Sequence, residues 1–223
     1  PEKEDVRPFV EIAEILKGFG YSVPEILAAD TQAGFLLLED LGDMTYTRAL
    51  AAGHAERELY CLAGDLLGDL AQRDVSEIRD RVPAYSDEKL LEEAMRFVDW
   101  YLRKAHGLAI TDESREDYAE AWREVLPAVR SGPEVLVLRD FHVDNMMVLS
   151  RRRGLAACGL LDFQDAVIGP ASYDLVSLLQ DCRRDIPADI ADEVRAGFFK
   201  IARNISDRDG FVRSYHVLGA QRH

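Results

Sequence analysis

The stretch that most limits what this chain can become runs from residue 135 to residue 181. It holds three short apolar runs, at 135–138, 146–149 and 155–161, with acids and amides gathered at their ends. Runs this short and this apolar read as buried strands. Polar clusters at strand ends are where a rigid scaffold presents its chemistry. The link Arg151-Arg152-Arg153-Gly154 carries a turn signal and joins the second run to the third. Folding that hairpin about residues 152 and 153 returns Asn145 and Asp162 to the same end. Asp140 sits on the entering loop, five residues before Asn145. One carboxylate, one amide oxygen and a second carboxylate then converge on a small volume.

Such a set suits phosphoryl transfer. Mg²⁺ takes oxygen ligands and keeps several waters, so one carboxylate plus one amide is an ordinary protein contribution. The remaining carboxylate can orient an acceptor hydroxyl and take its proton. The spacing from Asp140 to Asn145, followed by an apolar strand ending in Asp162-Phe163, is that of a kinase catalytic loop and its metal-binding Asp. The competing explanation is a polar loop whose Asp and Asn serve turn chemistry. It does not account for Asp162-Phe163 standing where the kinase pattern needs it.

Arg139-Asp140-Phe141-His142-Val143-Asp144-Asn145 resembles the His-Gly-Asp-Leu-His-x-x-Asn loop of the aminoglycoside phosphotransferase family. Leu160 to Ala166 and Gly169 to Leu175 are similar to that family's Ile-Asp-(Phe/Trp)-x-x-Ala and Gly-(Asp/Pro)-x-x-x-Asp-Leu segments. The resemblance implies an α+β, protein-kinase-like two-lobed fold, with a mostly helical large lobe carrying a short catalytic hairpin. It implies ATP and Mg²⁺ as cofactors and a hydroxyl of a small molecule as acceptor. By position, Asp140 would be the catalytic base, Asn145 and Asp162 the magnesium ligands, and Asp174 a brace for the catalytic loop. His142 would order that loop through ring hydrogen bonds. Leu138 and Arg139 depart from the usual His-Gly, which bears on the substrate subclass more than on the reaction.

Upstream, residues 5–17 read as a helix with Phe9, Ile12, Ala13 and Leu16 on one face and Gly18 beyond its end. Residues 34–42 read as a buried strand entering a polar turn. In the resembling family this is the hinge, where backbone groups near Glu39 and Leu41 bind adenine. Glu11, with Glu14 as runner-up, matches the helix glutamate that pairs with the ATP-binding lysine. No Gly-rich loop or strand lysine precedes that helix. The expectation is a remnant of the small lobe over 1–42, a large lobe over 43–223, and poor ATP binding by the chain as it stands.

Helices are predicted over 54–72, 87–105, about 112–129, 173–182, 188–203 and 209–221. Ser86 and Thr111 open two of them. Trp100 and Tyr101 are either core anchors or, as sugar rings pack on aromatic faces, the lining of an acceptor pocket. Arg139, Asp144 and Gln164 complete the candidate acceptor-binding set. Phe97 to Leu102 followed by the Asp140 loop resembles a bacterial branch that phosphorylates N-acetylmuramate and N-acetylglucosamine at the anomeric hydroxyl.

Hydrophobic content of 48% and charged content of 30% describe an ordinary soluble globular protein. A net charge of −14 argues against a nucleic-acid surface. Three cysteines, Cys61, Cys158 and Cys182, form no paired framework, so reduced thiols in a cytoplasmic protein are expected. No apolar run has the length of a membrane span, and no signal peptide opens the chain. Five histidines without metal-ligand spacing argue against a metallohydrolase. A nucleotide-binding pseudokinase and a choline-type kinase remain alternatives. Within the sugar kinases, aminoglycosides are polycations and N-acetylmuramate is an anion. Arg139, Arg183 and Arg184 suit the anion, whereas the net acidity suits the cation.

Overall fold

The computed structural model describes residues 5–222. Helix α1 (Arg7–Gly18) buries Ile12, Ala13, Ile15 and Leu16. It stops one residue later than the sequence suggests. The terminator is Gly20, whose φ of 89° lets its N–H reach the Lys17 carbonyl while Tyr21 N–H reaches Leu16.

Strands β1 (Ile26–Asp30) and β2 (Phe35–Leu38) form an antiparallel hairpin, with Ala29 opposite Leu36 and Asp30 opposite Phe35. The expectation of a buried strand here is wrong. Phe35 is 72% exposed and Leu37 60%, because no described element packs on that face of the hairpin.

Helix α2 (Tyr46–Ala51), capped by the Thr45 side chain, was not foreseen; it is too short to show helical periodicity. Helix α3 (Glu56–Leu70) carries the three-and-four apolar spacing and buries Leu59, Leu66, Leu67 and Leu70. Ser86 caps α4 (Asp87–Arg96) by accepting Lys89 N–H. The predicted single helix over 87–105 changes character at Phe97, continuing as a π-helical stretch to Ala105. Such wide turns are uncommon and concentrate at functional sites. Thr111 caps α5 (Asp112–Val125), which a 3₁₀ turn follows.

Four short strands come next: β3 (Glu134–Val137), β4 (Met146–Val148), β5 (Cys158–Leu160) and β6 (Val167–Pro170). β4 and β5 pair antiparallel, Met146 opposite Leu160 and Val148 opposite Cys158, a register centred on Arg153 as the hairpin reading requires. The connection is longer than a tight turn, with residues 154–157 in a 3₁₀ turn rather than strand. β6 was missed in the sequence because its four residues end in Pro170; it pairs with β3, Val137 opposite Val167.

Helices α6 (Tyr173–Leu179), α7 (Ala188–Ile201) and α8 (Arg208–Arg222) complete the chain. α3 lies directly on α7. A methyl group placed on Gly64 would sit 2.5 Å from Val194 Cγ1, so the absence of a side chain there lets the helices approach. The result is a mostly helical α+β fold around one main core. That core contains Leu16, Leu66, Leu136, Leu160 and Phe163, all at most 1% exposed. Among the described residues no helix is long and apolar enough to cross a membrane.

Candidate active site

Strand β3 delivers the chain to Leu138, and the loop from there to Asn145 is held from below by α6. The buried Asp174 carboxylate accepts the backbone N–H groups of Leu138 at 2.7 Å and Arg139 at 2.9 Å. Burial drives the Asp174 pKa up to about 7, against the pull of those two hydrogen bonds. Ser177, one turn on, donates its hydroxyl to the Arg139 carbonyl at 3.1 Å.

Arg139 has φ 71° and Asp162 φ 56°, and among the described residues they alone adopt this left-handed region without being glycine. Each carries strain on the order of 1–3 kcal/mol, tolerated where surrounding contacts over-determine the backbone. Arg139 stands next to Asp140, and Asp162 is itself one of the three side chains singled out by sequence.

Asn145 links the other two. Its Nδ2 donates to the Asp140 carbonyl at 3.0 Å and to Asp162 Oδ2 at 3.3 Å. Its backbone N–H binds the His142 carbonyl at 2.9 Å, and its carbonyl accepts Leu161 N–H at 2.9 Å. Asp140 and Asp162 are exposed, whereas Phe141, His142, Val143 and Phe163 between and beside them are buried. The loop thus anchors its apolar members and presents its acids. Gln164 Nε2 donates to Asp162 Oδ1 at 2.6 Å, so it orients a site carboxylate. Phe163 stacks on Phe9 of α1, ring centroids 4.8 Å apart.

His142 Nε2 lies 3.3 Å from Asn145 Nδ2, and its buried Nδ1 has no hydrogen-bond partner among the described residues. Burial first, then the nearby Arg183 charge, hold its pKa below the ordinary 6.5. Asp144 accepts from Thr47 Oγ1 on α2 and lies 3.8 Å from Arg183 Nε. It faces α2 and Arg183. Thr47 carried no signal in the sequence, since the contact spans 97 positions.

A cavity of about 610 Å³ opens beside Asp140, lined by Lys89, Glu93, Arg139, Asp165, Tyr173 and Arg222 among others. A second, of about 580 Å³, shares Glu93, Arg96, Gln221 and Arg222 with it and adds Phe97, Trp100 and Tyr101. Trp100 is 60% exposed and Tyr101 47%, so they are not core anchors. Phe97 and Tyr101 stack with centroids 5.6 Å apart, forming an aromatic shelf on the π-helical stretch. Both volumes fall within the range of small-molecule sites.

Arg139 meets Glu93 in an ion pair and lies over the Tyr85 ring, its carbon 5.6 Å from the centroid. Arg183 binds Asp181 at 2.9 Å and Arg184 binds Glu56 at 2.8 Å. All three arginines considered for an anion are therefore already paired. Glu93, Asp165 and Arg222 line the cavity without having been assigned a role from sequence. Glu93 and Arg222 lie far from the motif, and Asp165 stands inside it without a distinguishing pattern.

The expected nucleotide residues lie elsewhere on the molecule. Glu11 pairs with Arg81, and Glu14 lies 3.5 Å from the same guanidinium. Glu39 N–H binds the Glu25 carbonyl at 2.7 Å, and its side chain accepts from Arg152 at 2.9 Å. Glu39 and Leu41 line a cleft of about 420 Å³ with Val148 and Arg152. That cleft brings the β2 exit against the β4–β5 hairpin.

The profile of the phosphotransferase enzyme family matches residues 1–211. The chain is 32% identical along its whole length to the N-acetylmuramate/N-acetylglucosamine kinase of Neisseria meningitidis serogroup B and covers 66% of that protein. It is 34% identical to the protein of the same name from Pseudomonas aeruginosa, covering all of this chain and 65% of that one. It thus spans just under two thirds of the length of these curated relatives. An aminoglycoside phosphotransferase solved with GDP and kanamycin superposes with a TM-score of 0.65 at 19% identity, over 98% of this chain and 72% of that one. A choline/ethanolamine kinase family protein from Mesorhizobium loti superposes with a TM-score of 0.64 at 13% identity, over 100% and 68%. The fold is that of these phosphotransferases.

Proposed function

The chain belongs to the phosphotransferase enzyme family, and from that premise we propose that it transfers the γ-phosphoryl group of ATP to a hydroxyl of an amino sugar. N-acetylmuramate and N-acetylglucosamine are the leading acceptors. The observation that carries the reading is the Asn145 amide, which touches both the Asp140 backbone and the Asp162 carboxylate, with Asp140 lining a sugar-sized cavity. Both curated relatives described above are named as kinases of these two sugars, which supports the acceptor class.

Asp162 and Asn145 suit Mg²⁺ by donor chemistry, one carboxylate and one amide oxygen on adjacent strand ends, once the amide that here donates to Asp162 turns its oxygen to the ion. When bound, the ion would neutralise charge on the transferring phosphate. Gln164 steadies Asp162 for that task. Asp140 would accept the proton of the attacking hydroxyl, its backbone fixed by Asp174 acting through Leu138 and Arg139. The cleft at Glu39 and Leu41 would take the adenine, within a small-lobe remnant over 1–42, and residues 43–223 would form the acceptor-binding lobe. Glu11, held here by Arg81, would pair with a nucleotide-binding lysine only after exchanging partners. A cytoplasmic location follows from ATP use.

The test is ADP release with a panel of sugars, aminoglycosides and choline, on the longest natural product that contains this chain. Turnover with an N-acetylated amino sugar is expected. Replacing Asp140 by Asn should lower kcat by roughly 10²–10⁴-fold, the usual worth of a general base, with nucleotide affinity kept. Undiminished turnover in that variant would remove the mechanism.

A further inference from the structure

We propose that Arg222 is the specificity residue that recognises an acidic substituent on the acceptor sugar. The proposal rests on the acceptor site being the cavity beside Asp140. That cavity and its aromatic neighbour share one wall, and Arg222 stands in it. The guanidinium lies over the Tyr173 ring, its carbon 4.7 Å from the centroid, and among the described residues only Nη1 makes a hydrogen bond, a long one of 3.5 Å to the Arg139 carbonyl. Stacking of this kind fixes the plane of the fork and pre-organises its donors.

The other cations of this wall are committed. Arg139 pairs with Glu93, and Lys89 and Arg96 both lie against Glu92, at 3.1 Å and 3.8 Å. Among the described residues Arg222 has no carboxylate within 4 Å, in a chain that carries 41 acids against 27 basic residues. The buried Asp174 carboxyl feels the Arg222 charge without forming an ion pair with it, so a guanidinium held on an aromatic face keeps its donors for an anion from outside. Planar carboxylate is the group its fork matches. Asp140 and Asp165, on the same cavity, suit sugar hydroxyls as hydrogen-bond acceptors and would not themselves hold an acid. The shelf of Phe97, Trp100 and Tyr101 offers the apolar faces against which a sugar ring or its substituents can pack.

N-acetylmuramate and N-acetylglucosamine share a ring and an acetamido group and differ by one lactyl carboxylate, so the pair isolates this contact. Both would be titrated calorimetrically into the protein and into Arg222→Met, which keeps a stem to lie on Tyr173 and removes the donors. The wild type should bind the acid more tightly than the neutral sugar. Arg222→Met should weaken the acid roughly ten-fold or more and the neutral sugar less than about two-fold, as expected for loss of a charge-assisted pair. Arg222→Lys should restore part of the difference. Equal weakening of both sugars, unchanged binding of the acid, no preference in the wild type, or no binding of either sugar would each overturn the assignment. Discrimination without ADP release would overturn the phosphotransfer reading and leave Arg222 in its role.

Discussion

The chain contains two antiparallel hairpins that look alike in sequence and live in opposite surroundings. In β4–β5, Met146, Met147, Cys158 and Leu160 are all buried, and the open end of the hairpin carries both Asn145 and Asp162. It is also fixed sideways: Ser22 bridges to Gly159, and Thr45 to Met147. In β1–β2 the outward residues Leu27, Phe35 and Leu37 face solvent. Apolar composition alone did not distinguish them. What differs is that helices and loops close over both faces of the first and over one face of the second. The Asn145 amide and the Asp162 carboxylate stand on the hairpin whose register the core enforces.

The sharpest way to break this contrast is to truncate one apolar residue in each hairpin. Leu160→Ala should cost about 2–5 kcal/mol in a denaturant titration, as for other buried leucines. A loss under about 1 kcal/mol would mean that the catalytic hairpin is not core-enforced.

Asp174→Ala comes next. It orphans two N–H groups, at Leu138 and Arg139, and should cost about 1–3 kcal/mol. Hydrogen exchange at those two amides should rise more than at the β1–β2 amides. Equal changes at both places would show that the brace is not local.

A smaller effect concerns pH. His142 is held below its ordinary 6.5, chiefly by burial. The unfolded ring takes a proton near that pH and the folded ring resists it, so the stability His142 contributes is intact above 6.5 and is lost as pH falls below it. Asp174 works in the opposite sense: with its pKa raised from 3.8 to about 7, it binds a proton more readily when folded, and its contribution fades as pH rises through that window. The difference between wild type and His142→Gln across pH 5–8 isolates the histidine, and a flat difference would contradict its buried neutral state. The smallest change belongs to the exposed hairpin, where Leu37→Ala should stay within about 0.5 kcal/mol.

What sequence could show follows the same division. The register of β4–β5 was readable because one turn signal stood between two apolar runs and the pairing is local. The caps at Ser86 and Thr111 were readable because a cap is a matter of three residues. The burial of β2 was misjudged because Phe35 to Leu38 has the composition of a core strand, and whether anything packs on it is not written within the strand. Asp140, Asn145 and Asp162 could be grouped from sequence because two of them flank one hairpin and the third stands on the loop that enters it. Thr47, Glu93 and Arg222 were not, because they reach the site from helices 46 to 97 positions away, where no local spacing marks them.

The central claim, that Asn145 and Asp162 together hold the metal for phosphoryl transfer beside Asp140, is tested most directly by locating that metal. Crystals of the longest natural product containing this chain, grown with Mn²⁺ in place of Mg²⁺ and a non-hydrolysable ATP analogue, would show it by anomalous scattering. The account predicts a peak within direct ligand distance of Asp162 and Asn145, roughly 2.0–2.2 Å, on the same side of the loop as the Asp140 carboxylate. A metal held by other side chains, or nucleotide bound with Asp162 and Asn145 turned away from its phosphates, would contradict it.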